Sequence, residues 1–186
     1  MDNKTFQELQ NFYAPIINNI IESNFRFYRF NKTINWQFFY DERVAIFGRY
    51  NHKSDLLSIN IFSVAFSFDQ NEPLHIEHFL LHEIRHAFQF AEIADFKAGK
   101  ETCVDPEIVK KWISENENYC TALNADGSEN PAYFKQDMEF DAYAYAYAVM
   151  KYKYGSIPYL YKSAQYDDEF DKTVENWCQT FQSEHL

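Results

Sequence analysis

The chain has 186 residues, enough for one domain with a substantial core, and a formal net charge of −11. That acidity argues against nucleic acid and anionic membranes as partners, because both bind basic surfaces. Aromatic residues are abundant (14 Tyr, 19 Phe and 3 Trp), whereas Gly and Pro are scarce, which predicts few long irregular stretches.

The cysteines and the N-terminal sequence bear on the cellular compartment. Cys103, Cys120 and Cys178 are odd in number and form no CxxC pair, so neither a zinc ribbon nor a thioredoxin-like motif is predicted. Three free thiols suit a reducing compartment. No basic start followed by an apolar run is present, and no apolar stretch is long enough to span a bilayer. We therefore expect a cytoplasmic protein.

The first third of the chain predicts one helix and then a small sheet. Apolar residues between positions 6 and 21 follow helical spacing, with Asp2 or Asn3 as the cap and Pro15 as a bend or break. β-Branched and aromatic residues then predict strands at 34–40, 44–48 and 57–62. A polar segment at 51–55 is a predicted turn. We expect a three-stranded, mostly antiparallel sheet.

The remainder of the chain is predicted to be helical. Asn71 and Pro73 are expected to open a first helix, and Gly155 to end the third. The predicted helices span residues 73–94, 106–118, 131–154 and 167–182. The resulting fold class is α+β, with the sheet packed on a helical bundle in a single domain over residues 1–186.

The most specific motif is the pentapeptide HEIRH at residues 82–86, which is an HExxH motif. On a helix, His82 and His86 project from one face, so both imidazoles can reach one metal ion. Glu83 then lies where it can act on a metal-bound water rather than bind the metal. Apolar residues flank the motif on both sides. Burial of two histidines and a glutamate in such a helix would be energetically unfavourable unless they are paired or bound to a metal.

A third metal ligand is expected to be a carboxylate, because the one later histidine, His185, is next to the C-terminal residue. Glu139 is the best candidate. Ala142 and Ala146 share its face of the predicted helix and would permit close packing against the motif helix.

Other side chains remain as alternatives for this site. Asp141 lies about 200° around the helix from Glu139 and forms an i, i+4 pair with Asp137. Either aspartate could replace Glu139 or could hold a ligand histidine in place. His78 shares the histidine stripe, and a capping or supporting role is favoured over a metal contact. Arg85 is expected to pair with an acid.

Together these motifs resemble the gluzincins, zinc peptidases with HExxH on one helix and a glutamate on a later one. The segment Glu139-Phe140-Asp141-Ala142 resembles the third-ligand helix of ImmA/IrrE-like and CAAX-prenyl-protease-like families. Small bacterial and phage zincin-like proteins are also similar. The resemblance covers roughly residues 44–150. Arg85 stands where ImmA/IrrE-like members often have Gly. The strand before the motif, at 57–63, matches the edge strand that aligns peptide substrates in zincins.

The resemblance implies a zinc-dependent peptidase with a protein or peptide substrate, and a regulatory peptidase with a narrow protein target is one form of this expectation. Glu83 is expected to be the general base. Tyr143 is a candidate donor to the oxyanion, with Tyr133 and Tyr145 as further candidates. The main alternative is a metal-containing zincin-like protein that binds a partner without cleaving it. A third reading is a hydrolase of other amides or esters.

Overall fold

The computed structural model describes residues 1–28, 32–43, 46–128, 130–155 and 168–184, and within them the predicted α+β class is confirmed. The described elements are α1 (Asn3–Asn24), β1 (Trp36–Phe39), β2 (Gly48–Asn51), β3 (Leu56–Asn60), α2 (Ile61–Asp69), α3 (Leu74–Lys97), α4 (Pro106–Glu117), α5 (Asp137–Tyr154) and α6 (Asp168–Glu184), with 3₁₀ turns at Phe25–Phe27 and Tyr133–Lys135. None of these helices is long and apolar enough to cross a membrane.

The chain forms two compact units, Met1–Ile84 and Arg85–Leu186. The boundary falls inside α3, which is one continuous helix. The sequence predicts one domain over residues 1–186, and the division into two compact units leaves this a prediction.

In the first unit, α1 begins where its cap predicts. The Asp2 carboxylate accepts a hydrogen bond of 2.8 Å from the Thr5 amide, one of the donors that a helix start leaves without a partner. The helix runs unbroken through Pro15. Its buried residues Tyr13 and Ile17 belong to the same core cluster as β3.

The sheet is mixed, so the predicted, mostly antiparallel arrangement is wrong. Its strand order is β1-β3-β2, with β1 parallel to β3 and β2 antiparallel to β3. The turn at 52–55 joins β2 to β3 as a hairpin, which fixes their antiparallel pairing. Alternation of apolar residues assigns faces to a strand but leaves its direction and partner unspecified, so the parallel strand could not be foreseen.

Two strand boundaries also differ from the prediction. The second strand is Gly48–Asn51 rather than 44–48, and residues 44 and 45 lie outside the described residues. The third strand ends at Asn60, whose side chain accepts a hydrogen bond of 3.3 Å from Phe62 N and caps α2. The segment 57–62, which the sequence predicts as one strand, is therefore divided between β3 and a helix that the sequence did not predict.

Gly48 brings β2 unusually close to its neighbours. A Cβ atom at this position would lie 2.0 Å from the Ser58 carbonyl oxygen and 2.9 Å from the Phe79 ring. Both separations are shorter than van der Waals contact. Only glycine lets β2 pair with β3 at this distance beneath Phe79.

Two predicted helix starts are displaced in the structure. α3 begins at Leu74, and Asn71 has φ 58° in the turn before it, so Asn71 is not its cap. α5 begins at Asp137 rather than at 131, after the 3₁₀ turn at 133–135. Local side-chain bonds account for this, because Asn130 Oδ1 accepts from Ala132 N at 3.1 Å and favours a turn.

The second unit is built around α5. This Tyr- and Ala-rich helix, whose alternation mimics a strand, is helical as predicted and ends at Gly155 (φ 78°). Its buried alanines include Ala142 and Ala146, both 0 % exposed. α6 packs along it, with Phe170 between Phe140 and Tyr147. The predicted start of α6 at Asp167 lies outside the described residues.

Candidate metal centre

The HExxH motif lies in the middle of α3, where its two histidines are one turn apart. His82 is 6 % exposed, and the His86 side chain is 12 % exposed. Helical geometry places both rings on one face. This local arrangement is the one that the spacing predicts.

Glu139 completes a group of three side chains that could hold a metal ion. One ligand atom from each of His82, His86 and Glu139 lies within 4.8 Å of the others. Glu139 Oε1 is 3.5 Å from His86 Nε2, and the glutamate side chain is 1 % exposed. A carboxylate this deeply buried needs a cation or hydrogen-bond donors beside it. Among the three acids considered from the sequence, Glu139 is the one in the group.

The position of Glu139 depends on how α5 begins. Glu115, from α4, accepts hydrogen bonds from the backbone amides of Asp137 (2.6 Å) and Met138 (2.9 Å). These are donors that the first helical turn cannot satisfy itself. Burial raises the pKa of the Glu115 carboxyl, and the two amides oppose that rise. The first turn of α5, which carries Glu139, is thereby tied to α4.

The two alternative aspartates have other partners. Asp137 Oδ2 lies 3.3 Å from Lys111 Nζ, and its side chain is 47 % exposed. Asp141 binds Arg85 through two hydrogen bonds, of 2.8 and 3.2 Å. The expected pairing of Arg85 with an acid is confirmed, and Asp141 is that acid.

Arg85 itself is buried, at 3 % exposed. Its guanidinium carbon lies 4.4 Å from the centre of the Phe88 ring, 4.9 Å from Tyr145 and 4.8 Å from Trp177. Three aromatic faces and one carboxylate therefore surround the guanidinium, so this buried side chain has both cation–π and hydrogen-bond partners. Arg85 anchors the second half of α3 to α5 and α6.

Gln89 contacts His86 directly. Its Oε1 lies 2.7 Å from His86 Nδ1, while its Nε2 donates to the Met138 carbonyl at 3.0 Å and to Asp141 Oδ2 at 2.8 Å. One aspartate that the sequence considered as a support for a ligand histidine therefore reaches His86 through this glutamine.

Glu83 is held by β2, within the first unit. Its Oε2 accepts a 2.6 Å hydrogen bond from the backbone amide of Tyr50. Hydrogen bonds to a carboxylate are stronger than neutral ones, so this contact restricts the rotamer of Glu83. Glu83, which is expected to act as the base, is thus held in position by a backbone amide.

Tyr119 is a residue of the site that the sequence did not indicate. Its hydroxyl donates a 2.7 Å hydrogen bond to Glu139 Oε1. Tyr133 also faces this carboxylate, since burial and then the Glu139 charge raise the pKa of Tyr133. Tyr133 is therefore expected to stay protonated beside Glu139.

The other tyrosines considered from the sequence have different surroundings. The Tyr143 ring packs on Phe134, with ring centres 5.4 Å apart. Tyr145 is 2 % exposed and lies against Arg85 and Trp177. Tyr145 is therefore a core residue, whereas the role of Tyr143 as an oxyanion donor stays a prediction.

His78 lies one turn before His82 on α3. It is 1 % exposed, and burial, followed by the nearby His82 and His75, holds the pKa of His78 well below its usual range. His78 is therefore neutral near pH 7. Within the described residues, the candidate metal group does not include it.

No protein-family model, curated protein or solved structure matches the chain. Any function must therefore be inferred from the site itself.

Proposed function

We propose that the protein is a zinc-dependent hydrolase that cleaves peptide bonds. The observation that carries the proposal is the group formed by His82, His86 and Glu139, with Glu83 next to the first histidine. Two imidazoles and one carboxylate are a ligand set typical of catalytic zinc, which takes three protein ligands and leaves a position for substrate or water.

The geometry of the group fits such an ion. Ligands about 2.1 Å from a tetrahedral centre are about 3.4 Å from one another. The distance between His86 Nε2 and Glu139 Oε1 is 3.5 Å. All three candidate ligand atoms lie within 4.8 Å of one another. In the described part of the chain the group has three members, whereas structural zinc sites commonly have four.

A zinc ion held by His82, His86 and Glu139 would supply a polarising charge at the scissile carbonyl group. Glu83 would accept a proton from the attacking water and later give it to the departing amine. The Tyr50 amide keeps one carboxylate oxygen in place, so Glu83 does not have to be ordered when it reacts. Tyr119 and Tyr133 keep Glu139 oriented as a ligand.

The position of β2 supports a peptide as the substrate. The Leu57 amide donates to the Asn35 carbonyl and therefore points toward β1. Tyr50 is paired with Leu57, so the two residues exchange no backbone hydrogen bonds. The backbone amide and carbonyl groups of Tyr50 therefore point away from β3. The main-chain groups of Gly48 and the Tyr50 carbonyl thus face the outer edge of the sheet, where the Tyr50 amide already donates to Glu83. An extended peptide can add to such an edge by main-chain hydrogen bonds. The segment 57–63 is expected from the sequence to be the edge strand, but it contains β3, the central strand of the sheet. The strand proposed to align a peptide is therefore β2.

The test compares cleavage by wild type and by Glu83→Gln. Each zinc-loaded protein is incubated with a peptide library of broad sequence content, and new termini are identified by mass spectrometry. We expect cleavage by wild type and a loss of at least about 100-fold in Glu83→Gln, with zinc still bound. The matched control is Glu72→Gln, the same change at an exposed glutamate in the turn before α3.

Two results would count against the proposal. Equal cleavage by Glu83→Gln would remove Glu83 as the base. If zinc binds but wild type cleaves no peptide, the binding module predicted as the alternative becomes the better account.

A further inference from the structure

The orientation of the Gln89 amide is determined by its neighbours. Gln89 is 0 % exposed, and its amide group lies near three atoms: the Met138 carbonyl oxygen, Asp141 Oδ2 and His86 Nδ1. A carbonyl oxygen such as that of Met138 accepts and cannot donate. The amide nitrogen must therefore face Met138 and Asp141, which leaves the amide oxygen toward His86.

Arg85 holds the Asp141 side chain beside Gln89. The guanidinium donates two hydrogen bonds, one to each oxygen of Asp141, and it has no acceptor atom of its own. Asp141 Oδ2 accepts from both Arg85 Nε and Gln89 Nε2. The Met138 carbonyl already determines which way the Gln89 amide faces, and the arrangement of Asp141 agrees with it.

The amide oxygen in turn determines the tautomer of His86. An oxygen that lies 2.7 Å from Nδ1 cannot donate, so the hydrogen bond requires a proton on Nδ1. In the neutral ring the lone pair then resides on Nε2. This is the nitrogen that lies 3.5 Å from Glu139 Oε1, inside the candidate metal group.

We infer that Gln89 is a positioning residue, which holds His86 in the Nδ1-protonated tautomer and directs the Nε2 lone pair toward a metal ion. The hydrogen-bonded series Arg85, Asp141, Gln89 and His86 carries this constraint from the buried guanidinium to the ligand. The metal part of this inference rests on the proposed function, whereas the tautomer is a property of the metal-free protein.

The test begins with metal-free wild-type protein labelled with ¹⁵N-histidine, studied at about pH 8, where neutral imidazole prevails. Long-range ¹H–¹⁵N correlations report which ring nitrogen carries the proton. We expect the Nδ1–H form for His86 in wild type and loss of that preference in Gln89→Met. Zinc affinity, measured against a competing chelator, is expected to fall about 10- to 100-fold in the variant.

Gln136→Met is the matched control. Gln136 is also buried, but its amide bonds to the Cys120 main chain and the Tyr133 carbonyl rather than to a histidine. Its replacement removes an equivalent amide, and we expect the His86 tautomer to be unchanged. This control separates a specific effect on His86 from a general loss of packing.

Two outcomes would overturn the inference: an Nε2–H tautomer in wild type, or an unaltered tautomer in Gln89→Met. The wild-type spectrum decides the first of these even if the variant does not fold. Failure of the proposed function looks different. In that case the Nδ1–H tautomer is present and depends on Gln89, but wild type binds no zinc.

Discussion

The backbone amide of Tyr50 donates a 2.6 Å hydrogen bond to the Glu83 carboxylate. The contact joins the edge strand of the sheet to the acidic residue of the HExxH motif, within one compact unit. Because the donor belongs to the main chain, the contact depends on the course of β2 and not on the side chain of residue 50. The packing that fixes β2 is therefore expected to matter for Glu83.

Gly48→Ala tests this dependence. The added methyl group would overlap the Ser58 carbonyl and the Phe79 ring, so β2 must move. We expect a loss of about 1–3 kcal/mol in the free energy of unfolding, measured by urea denaturation. The control is Gly99→Ala, since a Cβ there meets nothing within 4 Å, although φ is also positive (70°). A loss in Gly48→Ala no larger than that of the control would contradict the close approach of β2.

Tyr119→Phe tests the hydroxyl that faces Glu139. Without its 2.7 Å hydrogen bond the carboxylate is less well oriented, so zinc binding should weaken by about tenfold. The measurement is competition with a chelator of known affinity. Tyr154→Phe is a suitable control, because Tyr119 and Tyr154 are equally exposed, at 49 %. Equal zinc affinities in the two variants would show that the Tyr119 hydroxyl does not contribute to zinc binding.

Arg85→Met tests the buried ion pair. The variant leaves Asp141 without its cation and should lower the free energy of unfolding by about 3–5 kcal/mol. Lys151→Met breaks a comparable pair with Glu175 that is about half exposed, and should cost less than about 1 kcal/mol. Chemical denaturation of both variants gives the comparison. Similar losses of unfolding free energy in the two variants would mean that the buried Arg85–Asp141 pair stabilises the fold no more than the exposed pair does.

The local part of the site could be predicted from the sequence. The helical period places His82 and His86 on one face without knowledge of the rest of the fold. The position of Glu139 relative to Ala142 and Ala146 predicts it as the ligand, and both alanines are buried. Such features depend on helix geometry, which residue spacing determines.

The contacts between distant segments could not be predicted in the same way. Tyr119 lies in the loop after α4, and no periodic pattern connects it with Glu139, 20 positions later. The Tyr50 contact uses a backbone amide, so the residue type carries no signal. Gln89 lies three positions after His86, a helical spacing that could have indicated a contact, but its link to Asp141 depends on the packing of α3 and α5.

The sheet shows a similar limit. Residues 57–62 alternate apolar with polar side chains up to Ile61, a pattern that fits one strand, yet Asn60 caps α2 and ends the strand. Asparagine favours such caps because its side chain replaces a missing backbone acceptor. The partner and direction of β1 depend on long-range pairing, and alternation of residue types does not encode either one.

The most direct test of the central claim is the zinc content of wild type, Glu139→Ala and Asp137→Ala after reconstitution and removal of excess metal. We predict one zinc ion per wild-type chain and a zinc affinity lower by at least about 100-fold in Glu139→Ala. A residue that binds the metal directly contributes more to zinc affinity than a residue that only holds a ligand in place. Asp137→Ala, an acid in the same first turn that faces Lys111, should retain wild-type affinity. No zinc in wild type, or full affinity in Glu139→Ala, would contradict the proposed metal centre.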